Sequence, residues 1–397
     1  MKLSLEQMAC IESEILRQVR ARPGVSRVEL ARRLQIAPST AGSYVGRLIT
    51  EGFLEESEKA GAPETGRPPT ALWLNPAGGR FIGVDFEARN IMAMAVDFSD
   101  KPLKRAHRSI QESDSASRII GKIEQAIVEV LPDDASRLLA IGVGVPGLVD
   151  PSRGVAVHYK YIRRWQNIPL AAPLAAQFGV PVYLENNVRS MALAEMWFGQ
   201  GRGLENFLCL GIRSGIGAGI VAGGQLQHGA RHRAGEIGRW RCPWPSRATA
   251  RLFAGDDAAE DTELQEVASV RAMVSALERA RRGHGKNAGR QPLEFADVVR
   301  AGQQRDPLVV PIIEAAAAML GGAVAQLVLA LNSSHVILAG PLTLLGDTLL
   351  RPLRARAAEI LQASDANVPA IVHSSMGEYS GALGAAALAV QEWRPAR

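Results

Sequence analysis

Apolar positions over the first part of the chain recur at helical spacing in three short runs. Met8, Ile11, Ile15, Leu16 and Val19 form the first stripe. It is opened by the capping pair Ser4 and Gln7 and stopped by Arg22-Pro23-Gly24. Ser26 and Glu29 make a second capping pair, opening a short helix expected to bury Val28, Ala31 and Leu34. After a turn at Gln35-Ile36-Ala37, Pro38 takes the first position of a third helix, where its missing N–H costs nothing. There Ala41, Val45, Leu48 and Ile49 make the apolar stripe, and Ser39, Ser43 and Arg47 fall on the opposite side. Gly52 ends the helix, and Phe53-Leu54 begins an extended segment. The turn-forming Gly66-Arg67-Pro68-Pro69 then leads into the strand-like Ala71-Leu72-Trp73-Leu74-Asn75. Three capped helices followed by two extended pieces predict a winged helix-turn-helix over residues 1–75, with a three-helix interaction module as the alternative.

Beyond Pro76-Ala77-Gly78-Gly79 the pattern changes to apolar strand runs alternating with helices. Phe81–Asp85, Ile91–Asp97, Ile141–Val145, Pro181–Glu185, Phe207–Gly211 and Val336–Gly340 read as strands, and 380–390 as a small-residue helix. Such alternation predicts an α/β architecture with parallel pairing, and the long connections predict two lobes within residues 80–397.

Composition narrows the class. With 397 residues, 47% hydrophobic and 21% charged, the chain can bury a sizeable core. It has no unbroken run of eighteen apolar residues, so no membrane partner is expected. The N-terminus reads as an amphipathic helix rather than a signal peptide. Cys10, Cys209 and Cys242 are scattered and form no CxxC, which fits a cytoplasmic protein without a disulfide framework. The net charge of +5 says less than its distribution. Arg17, Arg20, Arg22, Arg27, Arg32, Arg33 and Arg47 face the single acid Glu29 between residues 15 and 50. That is the footprint of a polyanion such as double-stranded operator DNA, or else a solvated arginine-rich face. Candidate contacts are Ser39, Thr40, Ser43, Tyr44 and Arg47 on the third helix, with Arg67 at the wing tip. Small hydroxyl residues near a helix start approach base edges without clashing, and arginines reach phosphate, guanine or a minor groove.

The ordered motifs carry a resemblance. They run from the Gly83-Val84-Asp85 strand through Gly144-Val145-Pro146-Gly147 to Trp165-x-Asn167-x-Pro169-Leu170. Glu185-Asn186 and Phe198-Gly199-Gln200-Gly201-x-Gly203 follow, then Ser214-Gly215-Ile216-Gly217-Ala218-Gly219 and Ala234-Gly235-Glu236-Ile237-Gly238. The set resembles the ROK (repressor, open reading frame, kinase) family of sugar kinases and repressors. The winged helix points to the repressor branch, because the family's kinases start directly at the Gly-Val-Asp strand. The resemblance implies a two-lobed actin-like (ribonuclease H-like) sugar-kinase fold, a sugar effector, and a homodimer or dimer of dimers. It also implies sugar contacts at Gly147, Asn186, Asn187 and Glu236, with Arg239 at the usual pocket His and Gln265 aligned with a pocket Glu.

Several positions depart from the family's kinases. Their Asn-Asp pair, whose Asp is the base, is here Asn186-Asn187, and an amide accepts no proton at neutral pH. Their Gly-Gly-Thr after the first strand is Glu87-Ala88-Arg89, and the Gly-Thr-Gly-Ile-Gly phosphate turn is Arg213-Ser214-Gly215-Ile216-Gly217. That turn could remain a phosphate cradle or simply pack two lobes. A double glycine near the adenosine has become Gly340-Pro341. ATP is therefore not an expected substrate and no cofactor is expected; a working kinase fused to a regulator is the alternative. The family's zinc ligands are also missing: Arg239 stands at the His, and Cys242 has no companion cysteines. No metal is expected, and the replacement segment 241–261 reads as a loop. The forked charge of Arg239 suits an acidic or phosphorylated sugar, or a plain salt bridge.

Overall fold

The computed structural model describes residues 5–58, 70–131, 137–256, 258–283 and 292–395. Helices α1 (Leu5–Ala21), α2 (Arg27–Leu34) and α3 (Pro38–Thr50) lead into an antiparallel hairpin of β1 (Leu54–Glu58) and β2 (Thr70–Leu74). The capping box on α2 forms as expected, with Ser26 Oγ accepting from Glu29 N and the Glu29 carboxylate accepting from Ser26 N. The Ser4 cap lies outside the described residues. One core assignment is corrected: Val28 is 72% exposed, and Leu30, fully buried, fills the interior of α2 instead.

The first lobe contains β3 (Arg80–Phe86), β4 (Asn90–Asp97), β5 (Pro102–Ser109), α4 (Ala116–Val130) and β6 (Leu138–Val145). A small antiparallel sheet of β7 (Leu148–Asp150), β8 (Val155–His158) and β9 (Gln166–Pro169) follows. Then come α5 (Ala171–Phe178), β10 (Val182–Asn186) and α6 (Asn187–Phe198). The second lobe begins with β11 (Phe207–Ile212), β12 (Ile216–Ala222) and β13 (Gln225–Leu226). It continues through β14 (Arg241–Pro243), α7 (Arg247–Ala254), β15 (Asp261–Glu263), α8 (Gln265–Ala268), α9 (Val270–Gly283) and α10 (Phe295–Gln303). It ends with α11 (Val310–Leu331), β16 (His335–Ala339), α12 (Asp347–Gln362), β17 (Ala370–His373) and α13 (Ser380–Glu392).

The two main sheets repeat one design. In the first, β3, β4 and β5 run antiparallel in a meander, while β6 pairs parallel with β3 and β10 parallel with β6. In the second, β11, β12 and β13 form the meander, while β16 pairs parallel with β11 and β17 parallel with β16. This is the duplicated α/β arrangement of actin-like folds. Helices α6 and α13 lie between the sheets, and the sequence builds their seats from bare backbone. A Cβ on Gly83 would stand 1.9 Å from the Ala382 carbonyl oxygen, and one on Gly142 1.8 Å from that of Ala385. Those two glycines let α13 press directly on β3 and β6.

Helix α11 is long and apolar enough to cross a membrane, but 72% of its most apolar window is buried in the second-lobe core. The segment 241–261, expected as a loop, is corrected. It folds into β14, α7 and the start of β15, because Ser246 caps α7 and Ala250 and Phe253 bury one helical face. The winged helix and the first lobe share an apolar cluster with the end of α13. Trp393 lies 5.3 Å from Phe53, 5.8 Å from Phe81 and 5.9 Å from Phe98 between ring centroids.

Candidate interlobe cleft and nucleic-acid interface

On α3, Ser39 and Ser43 are exposed and Thr40 half-buried, on a helix whose Ala41, Val45 and Leu48 are buried. Tyr44 is a correction: at 5% exposure it packs in the cluster beneath the helices, leaving it no DNA-facing surface. Its ring carries the Arg47 guanidinium at 5.4 Å, and Arg47 pairs with the buried Glu12 carboxylate at 3.2 Å. Arg47 thus serves the packing of α1 against α3. The basic cluster is partly neutralised in the same way. Arg17 pairs with Glu14, Arg20 with Asp100 of the first lobe and Arg27 with Glu56. Arg22, Arg32 and Arg33 remain exposed, the last two at the end of α2 beside the turn into α3. Sequence pattern singled them out only as members of the cluster. Arg67 lies outside the described residues.

Between the lobes opens a cleft lined by Gly147, Asn186, Asn187, Glu236, Arg239 and Gln265. All six of these expected pocket positions therefore meet at one place. They are not equally free. Asn186 caps α6, its Oδ1 accepting from Val188 N at 2.9 Å and Arg189 N at 3.3 Å. Its Nδ2 donates one hydrogen to the Gly147 carbonyl at 2.9 Å, so the amide holds the cleft wall and keeps a second N–H. That second N–H is what Asn186 has left to offer a ligand in the cleft. Gly147 is required by its backbone: φ is +71°, and a Cβ would meet the His158 carbonyl at 2.3 Å. Asn187 is nearly buried, and its Nδ2 reaches the Phe86 carbonyl at 3.4 Å. Burial pushes the Glu236 carboxyl above its ordinary range, against the opposing charges of Arg239, Arg189 and Arg233. The Arg239–Glu236 contact is long, 3.9 Å, and Arg239 is half exposed. Tyr159 and Tyr161, which the sequence reading missed, form an aromatic wall with rings at 90° and centroids 5.3 Å apart. Only their place between two strands signalled them.

Behind this wall a charged network ties down the loop that carries Glu236. Glu185, buried, accepts from Arg189 Nε at 2.7 Å, His228 Nε2 at 2.8 Å and Asn186 N at 2.6 Å. Arg189 Nη1 also donates to the Ala234 carbonyl at 3.2 Å. At the cleft mouth, Lys160 of the first lobe pairs with Glu266 of the second at 3.0 Å. At its floor, Arg213 Nη2 lies 2.6 Å from Asp85 Oδ2. Glu87 Oε2 accepts from Ser214 Oγ at 3.3 Å and Ser214 N at 3.5 Å. Burial alone would lower the Arg213 guanidinium, but the charges of Asp85 and Glu87 outweigh it and hold it above its ordinary value.

A winged helix-turn-helix joined to a two-lobed actin-like fold with a polar cleft defines the class of protein. The chain matches the ROK family over residues 81–392 and winged helix-turn-helix DNA-binding over residues 11–55; it belongs to the ROK family. A putative xylose repressor of Caldicellulosiruptor is 27% identical over 86% of this chain and 85% of its own. The dual regulator NagC of Escherichia coli is 26% identical over 92% and 88%, respectively. A glucokinase of Thermotoga maritima is 28% identical over 78% of this chain and 96% of its own. Among solved structures, a ROK transcriptional regulator homologous to the Escherichia coli Mlc protein superposes with a TM-score of 0.77 at 22% identity, covering 97% of this chain and 96% of that one. At that identity the likeness concerns the fold. The zinc ligands of the family do not fit here: Arg239 and Cys242 occupy the relevant stretch, and Cys242 Sγ faces the Trp240 carbonyl. Among the described residues no group of three His, Cys, Asp or Glu side chains is placed to hold a metal ion.

Proposed function

We propose that this chain is a sugar-responsive, DNA-binding transcriptional repressor whose cleft takes a sugar without phosphorylating it. The observation that carries the reading is the joining of a winged helix to a ROK cleft in which Asn187 stands at the base position. General-base catalysis contributes about 10²–10⁴-fold, and an amide supplies none of it. Phosphoryl transfer also needs backbone amides open to phosphate and a carboxylate open to magnesium. Here Glu87 faces the Ser214 amide and Arg213 covers Asp85. The residues present do not fit nucleotide and metal, and no catalytic residue is assigned. The relatives named as repressors favour the same reading.

In this proposal Ser39, Thr40 and Ser43 approach base edges, Arg32 and Arg33 hold phosphates, and a homodimer places two α3 helices on two operator half-sites. In the cleft, Asn187, Glu236, Arg239 and Gln265 take hydroxyl or charged groups while Tyr159 and Tyr161 cover an apolar ring face. Sugar that favours one lobe arrangement then shifts the spacing of the reading helices. The test is selection of operator sequences with the full chain, followed by operator titration with and without a panel of sugars. Loss of binding in Ser43→Glu and a sugar-dependent change in affinity are expected. Absence of sequence-selective DNA binding would reject the proposal.

A further inference from the structure

The floor of the cleft is where the two main sheets face each other through their glycine-rich strand ends. Asp85 comes from β3 of the first sheet, and Arg213 follows β11 of the second. Their ion pair is 2.6 Å long and buried on both sides, Asp85 at 1% and Arg213 at 9% exposure. Beside it, Glu87 of the first lobe reaches the backbone N–H and hydroxyl of Ser214 in the second. In an actin-like phosphotransferase a polyphosphate sits on such backbone amides and a metal ion bridges it to carboxylates. The charge pattern is preserved here, but the chain supplies both halves itself. A carboxylate faces the amide in place of phosphate, and a guanidinium sits on Asp85 in place of the cation.

We propose that Arg213 and Glu87 form a built-in pin that replaces metal-bound polyphosphate and holds the lobes together at the cleft floor without nucleotide. Other buried contacts join the lobes away from the floor, α13 against β3 and β6 and Glu185 with His228, whereas at the mouth Lys160–Glu266 and Arg271–Tyr161 are solvent-exposed and open to screening. Closure at the floor is therefore permanent and closure at the mouth adjustable. A ligand entering beside Tyr159 and Glu236 meets a cleft already hinged at its base. The pin stands or falls separately from the repressor reading, since a repressor could equally well keep an unpinned cleft.

The test uses the full chain and amide hydrogen exchange at the β3–β4 and β11–β12 turns, residues 86–90 and 213–216, with thermal melting alongside. Arg213→Met and Asp85→Asn should each lower the melting temperature, because each leaves a buried polar partner alone. The double variant should recover much of that loss, yet exchange in both turns should run at least about tenfold faster than in wild type. A stable double variant with wild-type exchange in these turns would overturn the pin. Should the double variant not fold, Glu87→Gln provides the comparison: faster exchange at Ser214 is expected, and an unchanged rate overturns the proposal. Magnesium–ATP should leave wild-type exchange unaltered. Protection of the Ser214 turn by it would show the turn still open to phosphate and would also overturn the proposal.

Discussion

Substituting Glu185 by Gln removes a buried charge behind the cleft wall at almost no change in volume. The carboxylate is 2% exposed and is shared by Arg189, His228 and the Asn186 amide. Glutamine keeps the volume but removes the charge and turns an NH₂ toward groups that are themselves donors. The Arg189 guanidinium, 1% exposed and with Nη2 already lacking a partner, would lose its direct ion-pair partner. Removing one partner of a buried pair costs about 3–5 kcal/mol. At about 2–4 °C per kcal/mol for a unit of 150–250 residues, the melting temperature should fall by roughly 6–20 °C. The acid limb should change as well. Burial alone would raise Glu185, but the His228 hydrogen bond, the Arg189 charge and the Asn186 N–H outweigh it and hold the carboxyl below its ordinary range. A carboxyl lowered in the folded state contributes stability that is complete above the unfolded value, about 4.3, and is lost as pH falls through the folded one. Wild type should therefore lose stability more steeply than Glu185→Gln below that unfolded value. Because His228 and Ala234 flank the loop leading to Glu236, amide exchange in residues 228–236 should also rise. Melting curves across acid pH, with exchange on the same samples, check all three. A variant melting within a couple of degrees of wild type, with an identical acid limb, would refute the reasoning.

The other expectations are simpler. Leu30→Ala should destabilise by about 2–5 kcal/mol in urea unfolding, while Val28→Lys on the same helix should stay within about 0.5 kcal/mol, since only Leu30 is buried. Asn187→Asp restores the carboxylate yet should not restore ATP-dependent phosphorylation of any hexose, because Glu87 and Arg213 still occupy the cleft floor; ADP release above background in a coupled assay would count against the non-kinase reading. Calorimetry with glucuronate, a hexose phosphate and glucose should show tighter binding of the acidic sugars, and Arg239→Met should erase the difference, because the half-exposed guanidinium is held loosely, 3.9 Å from Glu236; tighter binding of glucose by wild type would reject an acidic effector.

How much of this was legible in the sequence depended on whether the signal was local or relational. Caps and periodicity are local, so the Ser26–Glu29 box, the α3 stripe and the strands of both lobes are placed by the residues themselves. Val28 failed because three-residue spacing on an eight-residue helix does not say which face meets α1 and α3; Leu30 supplied the face that packs. The loop expected at 241–261 failed for a related reason. Its proline and charge content hid a single amphipathic turn, Ala250 with Phe253, which acquires meaning only against the apolar wall of the second lobe. The site divides along the same line. Motif order placed Gly147, Asn186, Asn187, Glu236 and Arg239 around one cleft, but it could not show that Asn186 also holds the cap of α6 and the Gly147 carbonyl. Nor could it show the partner of each charge. Glu87 and Arg213 read as two separate departures from a phosphate site, 126 positions apart in the chain, and become one device only when β3 and β11 bring them face to face. Tyr44 and Arg47 carry the converse lesson. The tyrosine lies with Ala41 and Leu48 on the buried stripe of α3 and closes over the core, and the arginine, still half-exposed, pairs with the buried Glu12 of α1.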